Sequence, residues 1–162
     1  VVGAGLGAGP GPESGTYDSY VEIVIEGIAE QRGHEATTRS DYASSSDDNV
    51  VVSTVRGNDT ALGWVGFAFA EDAAATVRPL AIAAEPGAPC VDASAATIAD
   101  GTYPLSRPLF IYVNTERAEQ KPQLAAYVDF YLAHLDQFVA EAGYVPLPQD
   151  QAGATRAVWE GR

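Results

Sequence analysis

An α/β layer structure is the fold class this sequence predicts, and three observations predict it. Segments of strand propensity alternate along the chain with segments of helical period. Of 162 residues, 46% are hydrophobic and 19% charged, a globular composition rather than a disordered or fibrous one. No internal repeat or low-complexity tract interrupts the pattern, so one or two compact units fit the length.

The opening Val1-Val2-Gly3-Ala4-Gly5-Leu6-Gly7-Ala8 invites a reading as a strand followed by the G-x-G-x-x-G/A dinucleotide fingerprint. Its context argues against that reading. Pro10 and Pro12 would break the helix whose N-terminus must meet the pyrophosphate. The first helix is expected later, where Tyr17, Tyr20, Val21, Val24, Ile25 and Ile28 share one apolar face. Ser14, Gly15 and Thr16 stand at its start, and Gly33 closes it. After a polar loop, Asp47 and Asp48 suit the first turn of a short helix over 49–56. Val50, Val51, Val52 and Val55 favour a strand there instead, so capping and propensity disagree. A turn at Gly57-Asn58-Asp59 leads to a buried strand over 61–65 and an Ala-rich helix over 66–75. Further strands are expected over 77–82 and 107–113, with a helical turn over 94–99 between them. From Pro122 onward the pattern is helical and apolar on more than one side, which requires cover.

Twenty-two acidic residues stand against nine basic ones, a formal charge of −13, and Lys121 is the only lysine. Nucleic-acid or anionic-membrane binding needs a basic patch, so neither partner is favoured. A small anion in a pocket is compatible with the charge, because local N–H groups and one or two arginines outweigh a distant field. No apolar run approaches the ~20 residues of a bilayer span, and no basic segment leading into an apolar stretch opens the chain. A soluble domain without span or signal peptide is expected. The absence of methionine is expected of a processed or truncated piece. Cys90 lies in Pro-Gly-Ala-Pro-Cys-Val with no flanking base, which favours a structural thiol over a nucleophile. His34 and His134 lie 100 residues apart without metal-ligand spacing, so no metal or other cofactor is expected. Trp64 and Trp159 read as core or interface anchors. With no G-x-S-x-G elbow and no paired base, the chain is not expected to be an enzyme, and no catalytic residue is assigned.

Ser-Gly-Thr at a helix start is most often an N-cap. It can also cradle an anion, because the first turn leaves N–H groups unpaired at the positive end of the macrodipole. Four segments set that turn in a wider pattern. They are Gly11-Pro12-Glu13-Ser14-Gly15-Thr16-Tyr17-Asp18; Arg39-Ser40-Asp41-Tyr42 with Ser46-Asp47-Asp48-Asn49-Val50; Ala61-Leu62-Gly63-Trp64-Val65-Gly66-Phe67-Ala68; and Thr97-Ile98-Ala99-Asp100-Gly101-Thr102-Tyr103-Pro104-Leu105-Ser106-Arg107-Pro108-Leu109-Phe110-Ile111-Tyr112-Val113-Asn114. In order and spacing, from about Gly11 to Trp159, they resemble the phosphate-binding proteins of the ABC phosphate importer, the PstS family.

The resemblance implies a type II periplasmic-binding-protein fold, in which two α/β lobes close over one phosphate and hand it to an ABC permease. It implies a periplasmic or extracellular location, with any lipid anchor in a segment outside this chain. Residues 1–106 would form the second, ligand-binding lobe. Residues 107–162 would supply the strand returning to the hinge and the C-terminal helices, packed on a first lobe whose N-terminal part, or a companion chain carrying it, is absent here. Carried over by position, Ser14, Gly15 and Thr16 would bind phosphate oxygens. Many members have an arginine four residues before the serine, where this chain has Pro10. Arg39 is the candidate replacement, oriented by Asp41. The resemblance places in the absent lobe the Asp that accepts the phosphate proton and so disfavours sulfate. Two alternatives stay open: a ligand-free scaffold or surface and assembly protein on the same fold, and a phosphatase-like hydrolase using the serine.

Overall fold

The computed structural model describes residues 5–162, so Val1 to Ala4 of the opening segment lie outside the described residues. The chain divides into two compact units, Val1–Ile82 and Ala83–Arg162.

In the first unit, β1 (Gly7–Gly9), β2 (Ala43–Ser44) and β3 (Leu62–Gly63) form a sheet in the order β2-β1-β3. Both pairings are parallel, with Ala8 opposite Ala43 on one side and Gly63 on the other. Parallel neighbours cannot be joined by a tight hairpin, so helices must carry the crossovers. Between β1 and β2 run α1 (Gly15–Tyr20), a π-helical turn (Val21–Ile25) and α2 (Glu26–Arg32). Gly33 stops α2 in the left-handed region at φ 65°, where a Cβ would be strained. Between β2 and β3 runs α3 (Asp48–Arg56), and after β3 comes α4 (Phe67–Asp72).

The valine-rich α3 settles the conflict between capping and propensity. The Asp47 carboxylate accepts the Asn49 N–H at 2.9 Å, and Val51 is packed to 1% exposure against the sheet. A cap of this kind contributes ~1 kcal/mol and burial of a valine ~1.5–3 kcal/mol, together more than the ~2 kcal/mol by which the four valines disfavour a helix. The small residues Gly7, Ala8 and Gly9 of β1 allow this close packing, and Ala8 is fully buried. The strand expected over 77–82 does not form, and Ile82 alone makes a bridge. Pro79 has no N–H to give a ladder.

The second unit is helical: α5 (Ala95–Ala99), α6 (Thr115–Gln120), α7 (Pro122–Ala133), α8 (Leu135–Glu141) and α9 (Gln149–Glu160). Ser94 and Thr97 close a reciprocal capping box on α5, and Asn114 caps α6 through the Arg117 N–H. Ala118, Val128, Leu132, Leu135 and Ala152 are buried. Trp159 Nε1 donates to Asp129 at 2.6 Å and Arg156 Nε to the Leu132 carbonyl at 3.2 Å, tying α9 to α7.

The strand expected over 107–113 is likewise not formed. Its side chains face solvent, with Leu109, Phe110, Ile111 and Tyr112 exposed by 50–94%. Strand propensity becomes a strand only when a neighbour takes up the N–H and C=O groups, and no strand among the described residues pairs with this segment.

Candidate functional site

The loops that leave the carboxyl ends of the three parallel strands carry residues 10–14, 45–47 and 64–66, and each runs into a helix. In open α/β sheets this end of the strands is where ligands bind. The segment after β1 is fixed through consecutive carbonyls. Gly9 C=O accepts the Ser45 N–H at 3.1 Å, Pro10 C=O accepts the Tyr42 hydroxyl at 2.9 Å, and Gly11 C=O accepts the Ser14 N–H at 3.0 Å. Pro10 and Gly11 are buried, so these carbonyls need partners from the protein.

Ser14, Gly15 and Thr16 come together as the start of α1. Ser14 is the N-cap in extended conformation, and its Oγ accepts the Thr16 N–H at 3.1 Å. The Ser14 carbonyl accepts the Tyr17 N–H at 3.0 Å and the Asp18 N–H at 3.2 Å. The first-turn amides of Thr16, Tyr17 and Asp18 are therefore bonded within the protein, which is the capping role of a serine. The Thr16 hydroxyl has no hydrogen-bond partner among the described residues. An anion reaching this turn would meet that hydroxyl directly and would gain the Thr16 amide only by displacing Ser14 Oγ, an exchange of one acceptor for another.

Arg39 is not brought to this turn. Its Nε and Nη2 make a bidentate pair with Asp41 at 2.8 and 2.7 Å, and its Nη1 donates to the Gly5 carbonyl at 3.2 Å. Gly5 precedes β1 whereas Ser14 follows it, and Gly5 to Gly9 alone spans about 13 Å of extended chain. The described guanidinium bonds thus secure the amino end of the sheet. The bidentate partner raises the Arg39 pKa, and the same hydrogen bonds hold the Asp41 carboxyl below the usual carboxylate range. Pro10, where the resemblance led to the expectation of an arginine, offers no donor. Glu13 folds its carboxylate against Cα of Gly11 within the same turn.

Two side chains that the sequence did not mark as site residues shape the turn. Trp64, leaving β3, stacks on Tyr20 with centroids 4.4 Å apart and planes 10° apart, and meets the Tyr42 ring in a tilted contact at 5.2 Å and 35°. Its indole lies so close over Gly9 that a Cβ there would overlap the ring. Trp64 Nε1 is buried and has no hydrogen-bond partner among the described residues. Since solvent does not reach that atom, neither would an anion. Tyr42, whose ring abuts Trp64, supplies the hydroxyl on Pro10. Both lie in the family-like segments, but only tertiary contact reveals what they hold.

Nearby, Asp48 in the first turn of α3 has its pKa raised, chiefly by burial and secondarily by the neighbouring Asp47 charge. Among the described residues there is no group of three or more His, Cys, Asp or Glu that could hold a metal. No helix among them is long and apolar enough to cross a membrane. Cys90 is an exposed free thiol.

Comparison with known proteins adds four findings. A family model described as PBP superfamily domain matches residues 8–134. Protein SphX of Synechocystis is 38% identical over 142 residues, covering 87% of this chain and 40% of SphX. A phosphate-binding protein PstS of Staphylococcus haemolyticus is 31% identical over 143 residues, covering 86% of this chain and 41% of PstS. The crystal structure of a possible phosphate binding protein from Planctomyces limnophilus superposes with a TM-score of 0.76 at 31% identity, over 96% of this chain and 53% of that one. The chain thus spans about 40% of the length of these two curated relatives and about half of the solved structure.

Proposed function

The chain belongs to the PBP superfamily, and on that premise we propose that it is the ligand-binding lobe of an extracytoplasmic protein that captures inorganic phosphate for an ABC importer. The observation that carries the reading is the placement of Ser14, Gly15 and Thr16 just beyond the carboxyl end of β1, at the start of a helix. Phosphate would take a hydrogen bond from the Thr16 hydroxyl and from Ser14 Oγ once that hydroxyl turns from acceptor to donor. The Thr16 amide, released from Ser14, would point at the same anion, with the positive end of the helix behind it. Binding by this route involves no bond making or breaking in the ligand.

The remaining donors, and the carboxylate that would take the phosphate proton, belong in this reading to a first lobe outside this chain. The share of the relatives' length that the chain covers and the solvent-facing apolar segment 109–112 both support that division. Closure of two lobes would strip water from the anion and strengthen each hydrogen bond.

A second reading is favoured by two particular facts. Pro10 replaces the family arginine, and Arg39 is committed to Asp41 and Gly5. On that reading the chain keeps the scaffold without the ligand. Calorimetric titration of the two-lobed protein with phosphate decides between them. The expected result is phosphate binding that Thr16→Val weakens by ~1–3 kcal/mol, about 5- to 150-fold. Binding that is unaltered in Thr16→Val removes the turn from the site, and no binding at all leaves the scaffold reading. In the separate chain, phosphate should bind weakly, and submicromolar affinity there would contradict the two-lobe division.

A further inference from the structure

We infer that Tyr42 is the positioning residue of the anion turn: its hydroxyl sets the pose of the backbone from which Ser14 and Thr16 are presented. This rests on the phosphate reading above.

Three successive carbonyls leave the end of β1, and each is held by one described donor. Two of those donors are backbone N–H groups, from Ser45 and Ser14. The third, on Pro10, is a side chain, the Tyr42 hydroxyl at 2.9 Å. Pro10 is buried, so water is a poor substitute for a lost phenol, and the carbonyl must then be left unpaired or moved.

The phenol can act in this way because its ring is fixed from two sides. Cβ of Tyr42 lies against Cα of Gly7, where an added methyl would come within 3.2 Å. The ring packs on Trp64, which is itself stacked on Tyr20 of α1. Tyr42 thereby joins β1, the segment leading into β2, the residue leaving β3 and the first helix. The flanking prolines limit what else the turn can do, since φ is fixed at Pro10 and Pro12. The remaining freedom is largely the orientation of the peptides between them, and the Pro10 carbonyl reports the first.

Tyr42→Phe separates the hydroxyl from the ring, and Tyr42→Leu removes both. Amide proton exchange of Ser14, whose N–H bonds Gly11, is measured in the phosphate-free chain, with the Val51 amide of α3 as internal reference. Inorganic phosphate is then titrated while the Gly15 and Thr16 amide shifts are followed by NMR. In Tyr42→Phe, Ser14 exchange is expected to rise about tenfold with Val51 unchanged, and phosphate affinity to fall about 3- to 10-fold. Wild-type exchange at Ser14 in Tyr42→Phe overturns the inference, whether or not Tyr42→Leu is impaired. Faster exchange with unchanged phosphate affinity overturns it as well. If phosphate moves no amide of the wild-type turn, the phosphate reading fails, and the exchange measurement still decides whether Tyr42 holds the turn.

Discussion

Gly9 is required by a neighbour rather than by a backbone angle. It sits in β1 with the Trp64 indole packed on its Cα, and a methyl group there would overlap the ring. The ring has little room to retreat, because Tyr20 stacks on it at 4.4 Å. Gly9→Ala should therefore cost ~1–3 kcal/mol by overpacking, read as a lower urea midpoint. The added Trp64→Phe substitution, which shrinks the overlapping ring, should recover part of that loss. An Ala variant as stable as the parent would mean that the indole moves freely. The same residues show what was legible at this scale. Ser14, Gly15 and Thr16 could be picked out because a cap is a local pattern. Arg39 was correctly paired with Asp41, yet its distance from the turn depends on which end of β1 the loop over 33–42 meets. Tyr42 and Trp64 escaped notice as site residues because their importance lies in what they touch.

Helix ends were read more securely than strands, for a physical reason. A helix closes its hydrogen bonds on itself, so its termini are written in adjacent residues: Asp47 before α3, Gly33 after α2, Ser94 with Thr97 before α5. A strand's bonds lie on another segment. The apolar runs over 77–82 and 107–113 had the composition of strands but no ladder to join, whereas the Gly-rich β1 became the central strand of the sheet. At this scale α3 gives a direct test of capping against propensity. Asp47→Ala should lower stability by ~1 kcal/mol, because the Asn49 N–H loses its acceptor at 2.9 Å. Asp47→Asn, which caps equally well, should be near neutral by chemical denaturation. A large loss in both variants would show that the Asp47 charge, not its capping oxygen, stabilises the helix.

At the scale of the whole molecule, the second unit carries apolar surface that its own packing does not use. Phe110 is 70% and Tyr112 94% exposed, while a cavity of about 250 Å³ opens between Ile111, Leu124, Tyr127 and Tyr131. Singly exposed apolar residues are ordinary, but four in succession beside an apolar cavity form a patch, and patches of this kind are normally covered. Phe110 and Tyr112 face solvent, whereas Val128 and Leu132 of α7 are buried. Replacing Phe110 and Tyr112 together by lysine should therefore change the unfolding free energy of this chain by no more than ~0.5 kcal/mol. Val128→Ala, 4% exposed in the parent, should by contrast cost ~1–3 kcal/mol. The lysine pair should also reduce dye binding to exposed apolar surface and any concentration-dependent association. In a two-lobed protein the expectation reverses. There the segment would lie against the first lobe, and the same two lysines should lower stability by several kcal/mol through burial of unpaired charge. Equal tolerance in both contexts would leave the patch without a partner and would remove the main structural support for a second lobe.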